Sequence, residues 1–286
     1  MPPDAKGPSV SLFPHSRVAP ELASPLGDVP PAALMRAVSD AGKVSPSLVV
    51  VIPLVAGGSA ALVTTGFHLS RPLLLARLLL PLLACLPAWP MMALLLLRGR
   101  RLAAFGVMLC WAAALTTTMV LLTVSEPAQA ERIILHGREY WQEMEGWVMT
   151  GIGKEASPAL FLPEHLRNAA VFVLLSLLTA GALSLLMGAC LMDYMSYYVG
   201  RVALQSRHPF LTALLAWHPY SVVRVAAFVG LGVILAEPLL WTLARRRWSW
   251  RRLLLPGGLA LCGLLLDIVL KALLAPVWPE LMRASF

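Results

Sequence analysis

The sequence predicts an all-α, polytopic membrane bundle of about six transmembrane helices. Three observations carry that expectation. Apolar runs at 47–67, 78–97, 102–124, 169–192, 221–243 and 253–276 each reach the roughly 20 residues a helix needs to cross a hydrocarbon core. The chain is 58% hydrophobic and 13% charged, with a mean hydropathy of +0.75, whereas soluble domains carry roughly 25% charged residues. The runs are continuous rather than alternating, which selects helices over a barrel as the way to satisfy every backbone group in lipid.

The 286 residues divide into a tail at 1–46, a helical membrane domain at 47–278 and a short C-terminal tail at 279–286. The first segment holds nine prolines and no long apolar run, a composition that cannot bury enough surface to offset chain entropy. It lacks the basic start and apolar stretch of a secretory signal. Within it, 31–43 offers Leu34, Met35 and Val38 to one helical face, as an interfacial anchor or a loose linker.

The first span carries Pro53 and the pair Gly57–Gly58; the second carries Pro81, Pro87 and Pro90. Each proline removes a helical donor and kinks its helix. The third follows a basic cluster at 98–101 and contains three successive threonines, suited to bonding back to the helix or across to a neighbour. The loop at 125–168 is the large hydrophilic segment, with seven Glu against three Arg and one Lys. Residues 130–147 within it read as an amphipathic surface helix, with Tyr140, Trp141 and Trp147 suited to the head-group level.

After Met192 comes an aromatic and polar stretch, then a half-helix at 209–217 too short to span. His218-Pro219-Tyr220 precedes the fifth span. The basic clusters at 98–101 and 245–252 should share the cytoplasmic face, yet six spans place them on opposite sides, unless 193–220 supplies another crossing. A cytoplasmic N-terminus with an extracytoplasmic acidic loop is the preferred orientation.

An ionisable group at a helix centre costs at least about 2.5–3.5 kcal/mol on insertion scales, so such residues are the first candidates. Asp267 and Lys271 sit at i and i+4, suited to neutralising each other or to relaying an ion. Arg224 and Glu237 lie near opposite ends of the fifth span, too far apart to pair within it. These four form a candidate intramembrane polar site. A second set, His136, Glu139, Glu143, His165, Asp193 and His218, lies in loops or at the interface. Imidazole and carboxylate together suit metal binding or general base work, but a solvated polar face explains them as well. No metal-binding, phosphate-loop or nucleophile signature is present. The four cysteines form no CxxC pair and read as packing residues. No catalytic residue, metal or cofactor is therefore designated, and the chain reads as a non-enzyme before an enzyme.

The net charge of +8 resides mostly beside the spans, which favours membrane lipid over nucleic acid. Arg245, Arg246, Arg247, Arg251 and Arg252, interleaved with two tryptophans, suit anionic head groups. A protein partner or homo-oligomer is also compatible with the charged loops. The expected role is a small-solute or ion transporter, or a permease-like component. A non-enzymatic scaffold or assembly factor is the alternative, and a membrane enzyme acting on lipid the third reading. The localisation expected is the cytoplasmic (inner) cell membrane.

Overall fold

The computed structural model describes residues 46–69 and 77–285. The tail expected at 1–46, with its short helix at 31–43, lies almost wholly outside the described residues. In chain order the helices are α1 (Pro46–Leu69), α2 (Leu79–Cys85), α3 (Ala88–Leu97), α4 (Arg101–Ser125), α5 (Pro127–Ile133), α6 (Gly137–Thr150), α7 (Pro158–Thr179), α8 (Ala182–Gln205), α9 (Pro209–Ala216), α10 (Pro219–Leu243), α11 (Arg251–Leu274) and α12 (Trp278–Arg283). A single 3-10 turn, Lys154–Ala156, separates α6 from α7. No strand occurs among the described residues. The protein is an all-α, multi-pass membrane bundle, with seven helical segments among the described residues long and apolar enough to cross a membrane.

Proline sets many of the boundaries. Pro127, Pro158, Pro209 and Pro219 each open their helix, and Pro279 lies in the first turn of α12. Proline has no N–H to lose at such positions, and its fixed φ suits the first turn. The second span is broken at Leu86–Pro87 into α2 and α3. The break frees the Ala84 carbonyl, and the fully buried Trp111 indole donates to it at 2.8 Å. Neighbouring helices thus satisfy what the kink exposes.

The seventh candidate span comes from the apolar run 169–192, which the sequence presents as one crossing. The chain turns back within it. Ala180 and Gly181 adopt left-handed backbone angles, with φ of 49° and 81°. The Gly181 N–H bonds to the Ser176 carbonyl at 2.9 Å, a closing bond typical of helix C-termini. Trp89 donates its indole N–H to the Ala180 carbonyl at 3.0 Å. A Cβ on Gly181 would lie 3.0 Å from Met92 and 3.1 Å from Ala236, so the turn is wedged between α3 and α10. The hairpin arms run on into polar sequence, α7 back to Pro158 and α8 on to Gln205.

This extra reversal removes the conflict between the basic clusters. Four spans, α4, α7, α8 and α10, now separate them, so they meet at one end. Arg101 donates to the Arg252 carbonyl at 3.0 Å, Arg246 bonds to the Leu97 carbonyl, and Arg252 lies 4.6 Å above the Trp241 ring.

At the opposite end α5, α6, α9 and α12 form a cap. The single amphipathic helix expected at 130–147 is two helices, because His136 takes a left-handed φ of 57° and breaks it. Met144, Trp147 and Val148 of α6 face protein, packing with Tyr198, Val202, Trp278 and Met282. The expected C-terminal tail contains most of α12, pinned by the Trp278 indole on the Leu215 carbonyl at 3.0 Å. The half-helix expected at 209–217 is α9, with Thr212 and Ala216 buried and Phe210 exposed.

Close helix approach relies on small residues, as membrane packing does generally. Gly200 of α8 lies against Thr123 of α4, and Gly263 of α11 against Ala227 of α10.

Candidate functional site

Helix α10 opens at His218–Pro219 and places Arg224 on its second turn; α11 brings Asp267 beside it. Arg224 Nε donates to Asp267 Oδ2 at 2.8 Å and Nη2 to Oδ1 at 3.0 Å. This two-point geometry is the strong form of the arginine–carboxylate bond. Asp267 is 0% exposed, and His165 Nε2 of α7 stands 3.7 Å from its Oδ2.

One turn further along α11, Lys271 is 2% exposed. Its Nζ lies 2.5 Å from Glu155 Oε2, carried by the 3-10 turn, and 3.9 Å above the Phe161 ring. The mutual i, i+4 neutralisation of Asp267 and Lys271 is therefore not what forms. A helical pair of that kind contributes only about 0.2–0.5 kcal/mol, and each residue finds a stronger partner on another element. Arg224 is likewise committed to its carboxylate partner on α11.

These residues stand at one end of a cavity of about 190 Å³ between α7, α8 and α10, floored by α3 and α4. Its polar end is lined by Tyr140, Glu155, His165, Asn168, Arg224 and Lys271. Its deep end is lined by Met92, Met108, Trp111, Phe172, Leu185 and Val233, and Gly181 of the hairpin turn closes that end. At the mouth Lys154 bridges Glu143 at 3.2 Å and Glu164 at 3.5 Å; the Glu143 hydrogen bond and charge raise its pKa. Removal from water pushes the Tyr140 phenol well above its usual range, with Glu155 adding to the effect. Tyr140 therefore stays protonated, and its ring packs 4.6 Å from that of Tyr194, another wall residue.

Beside the ion pairs His218 is 2% exposed within a box of Trp147, Tyr198, Tyr220 and Trp278, at centroid distances of 5.6, 6.4, 4.9 and 5.7 Å. Burial, reinforced by Lys271 and Arg224, pushes its pKa down to about 3. The imidazole is neutral at pH 7.

Of the sequence candidates, the structure thus gathers Arg224, Lys271, His165 and Glu143 on the wall of one cavity, with Asp267 behind Arg224 and His218 close by. Glu237 is not among them: it is buried at the basic end and paired with Arg101 of α4. His136 and Glu139 are exposed on the cap, and His136 precedes α6, the helix that carries Glu139 and Glu143. Asp193 is 3% exposed and outside the cavity wall, with no partner for its Oδ1 among the described residues. Nor do the described residues contain a group of three or more His, Cys, Asp or Glu placed to hold a metal ion. The five arginines of the basic loop are exposed, though Arg246 and Arg252 already make the contacts described above.

Sequence reasoning did not single out Asn168, Tyr194 or the partnership of Glu155 with Lys271. Asn168 stands at the threshold of an apolar run, a position that marked it weakly; Glu155 carried no local signal. The chain matches no family model, no curated protein and no solved structure.

Proposed function

We propose that the protein is a permease-like membrane component that takes a solute into the cavity between α7, α8 and α10 from its acidic-loop end. The observation that supports this reading most is the cavity itself, where two ion pairs and His165 meet inside a membrane bundle. Intramembrane ionisable groups that face a cavity are a common mark of a substrate or ion path. The α7–α8 turn wedged at the deep end, against Met92 and Ala236, is then the closed gate of one access state. The exposed arginines of the basic loop, with Trp248 and Trp250, anchor the opposite end to anionic lipid.

A single engineered thiol tests the reading. Gly188 lines the cavity, and a Cβ there meets nothing within 4 Å. With Cys85, Cys110, Cys190 and Cys262 replaced by alanine, Gly188→Cys in sealed proteoliposomes should react with a membrane-impermeant thiol reagent. Reaction is expected from the acidic-loop face and, more slowly, from the basic face. A thiol unreactive from both faces removes the water-accessible cavity. A thiol reactive only from the acidic-loop face makes the cavity a binding pocket, as in an enzyme or receptor, and overturns transport.

A further inference from the structure

Resting on the cavity reading above, we infer that its ligand is a single-chain amphiphile of medium length whose head group accepts hydrogen bonds, a fatty carboxylate being the simplest member of the class.

The segregation of the wall along three helices carries this inference. On α7 the cavity residues are Phe161, whose ring lies under the Lys271 ammonium, then Glu164, His165 and Asn168, then Phe172; on α10 they are Arg224, then Val225, Phe228, Val229, Gly232 and Val233. On α8 the order reverses with chain direction, from Leu185 and Gly188 through Leu191 and Met192 to Tyr194, with Met195 beside it. Ser184 is the polar residue at the deep end, and its hydroxyl is engaged with the Gly181 carbonyl at 3.1 Å. A polar solute would leave that apolar end unused, and a purely apolar one would leave the donors at the other end desolvated and unpaired, at a cost. An amphiphile satisfies both.

Head-group chemistry follows from which partners are already taken. Asp267 is held by Arg224, Glu155 by Lys271, and Glu143 and Glu164 by Lys154. Tyr140, Tyr194, Asn168 and Arg224 line this end, and the two hydroxyls, the amide and Nη1 make no hydrogen bond to the described residues. Each uncommitted group can donate and Arg224 Nη1 can only donate, so a head that supplies acceptor oxygens can pair with all of them.

Size follows from depth and volume. Nine residues of α10 separate Arg224 from Val233, about 13 Å at the helical rise, which an extended chain of roughly ten carbons covers. A space of about 190 Å³ holds on the order of a dozen water-sized groups. A two-chain phospholipid is too large. Four methionines in the wall, Met92, Met108, Met192 and Met195, supply the adaptable surface that suits a flexible chain.

The test uses the same Gly188→Cys protein in liposomes, with the rate of thiol alkylation as the readout. Decanoate should slow alkylation in a saturable manner. Acetate, which has the head without the chain, and decyltrimethylammonium, which has the chain without acceptors, should leave the rate unchanged; palmitate should protect less than decanoate. Tyr194→Phe, which removes one donor and keeps the ring, should raise the half-protecting decanoate concentration about fivefold. Equal protection by decanoate and decyltrimethylammonium, stronger protection by palmitate, or none by decanoate on a reactive thiol overturns the ligand class and leaves the cavity standing. A thiol that reacts with nothing, even without competitor, overturns the cavity and the ligand class together.

Discussion

Arg224 and Asp267, 43 positions apart in sequence, meet as a two-point ion pair at 2.8 and 3.0 Å between α10 and α11. Asp267 has left water entirely while Arg224 stays 21% exposed toward the cavity, so the carboxylate depends on its partner most. Removing one partner of such a pair leaves an uncompensated buried charge and costs about 3–5 kcal/mol, whereas replacing both by apolar residues is often nearly neutral. Arg224→Leu and Asp267→Leu should each lower unfolding stability by that order in detergent. The double variant should lose less than either single one. A double-mutant cycle on denaturant unfolding reads the difference, and additive losses would show that the pair contributes no coupling.

The box around His218 predicts a pH dependence with a definite sign. Its folded pKa of about 3 lies below the ordinary value of 6.5, so below pH 6.5 the unfolded chain binds a proton that the folded protein refuses. The stability contribution is complete above about pH 6.5 and declines as the pH falls toward 3, with a slope of up to about 1.4 kcal/mol per pH unit. The facing charges are Lys271 and Arg224, both cationic, which reinforces the sign. His218→Phe keeps an aromatic ring against Tyr220 and has no proton to gain. Unfolding midpoints from pH 7 to pH 4 should fall less steeply for this variant than for the parent; parallel profiles would contradict the assignment.

Two glycines of α8 should respond oppositely to a methyl group. A Cβ at Gly200 would lie 2.7 Å from both Cβ and Cγ2 of Thr123 and 3.3 Å from the Val120 carbonyl oxygen, whereas one at Gly188 meets nothing within 4 Å. Gly200→Ala must push α8 away from α4, and overpacking of this kind costs about 1–3 kcal/mol. Gly188→Ala should leave the melting temperature unchanged or raise it slightly, because alanine favours the helix. Comparable losses at both positions would mean that the α4–α8 contact is not the tight one.

The membrane class was legible in the sequence because each apolar run exceeds what a soluble core needs, and lipid admits few backbone solutions. The α7–α8 reversal was not. Thr179-Ala180-Gly181 contains no proline and no charge, and Ala180 takes a left-handed angle that no local rule assigns to alanine. That the polar stretches at 158–168 and 193–205 extend the hairpin arms as helix was not legible either, because the cavity and cap that receive them are tertiary. In the same way Asp267, Lys271 and Arg224 stood out through their cost in lipid, while their partners did not. Glu155 is one acid among seven in its loop, and only the fold brings it to Lys271.

The seven-span topology makes a prediction that six spans cannot. Basic residues near span ends favour the cytoplasm, and the contacts of Arg101 with Arg252 and of Arg246 with Leu97 hold the two basic clusters at one end. Arg98→Cys and Ser249→Cys, each at an exposed position, should react with an impermeant thiol reagent from the same side, the cytoplasmic one. Ile152→Cys, at a position 79% exposed on the acidic loop, should react from the other. Right-side-out and inverted vesicles of the cysteine-substituted protein separate the two faces. If Arg98→Cys and Ser249→Cys react from opposite sides, the α7–α8 hairpin does not add a crossing, and the cavity built on its two arms is lost with it.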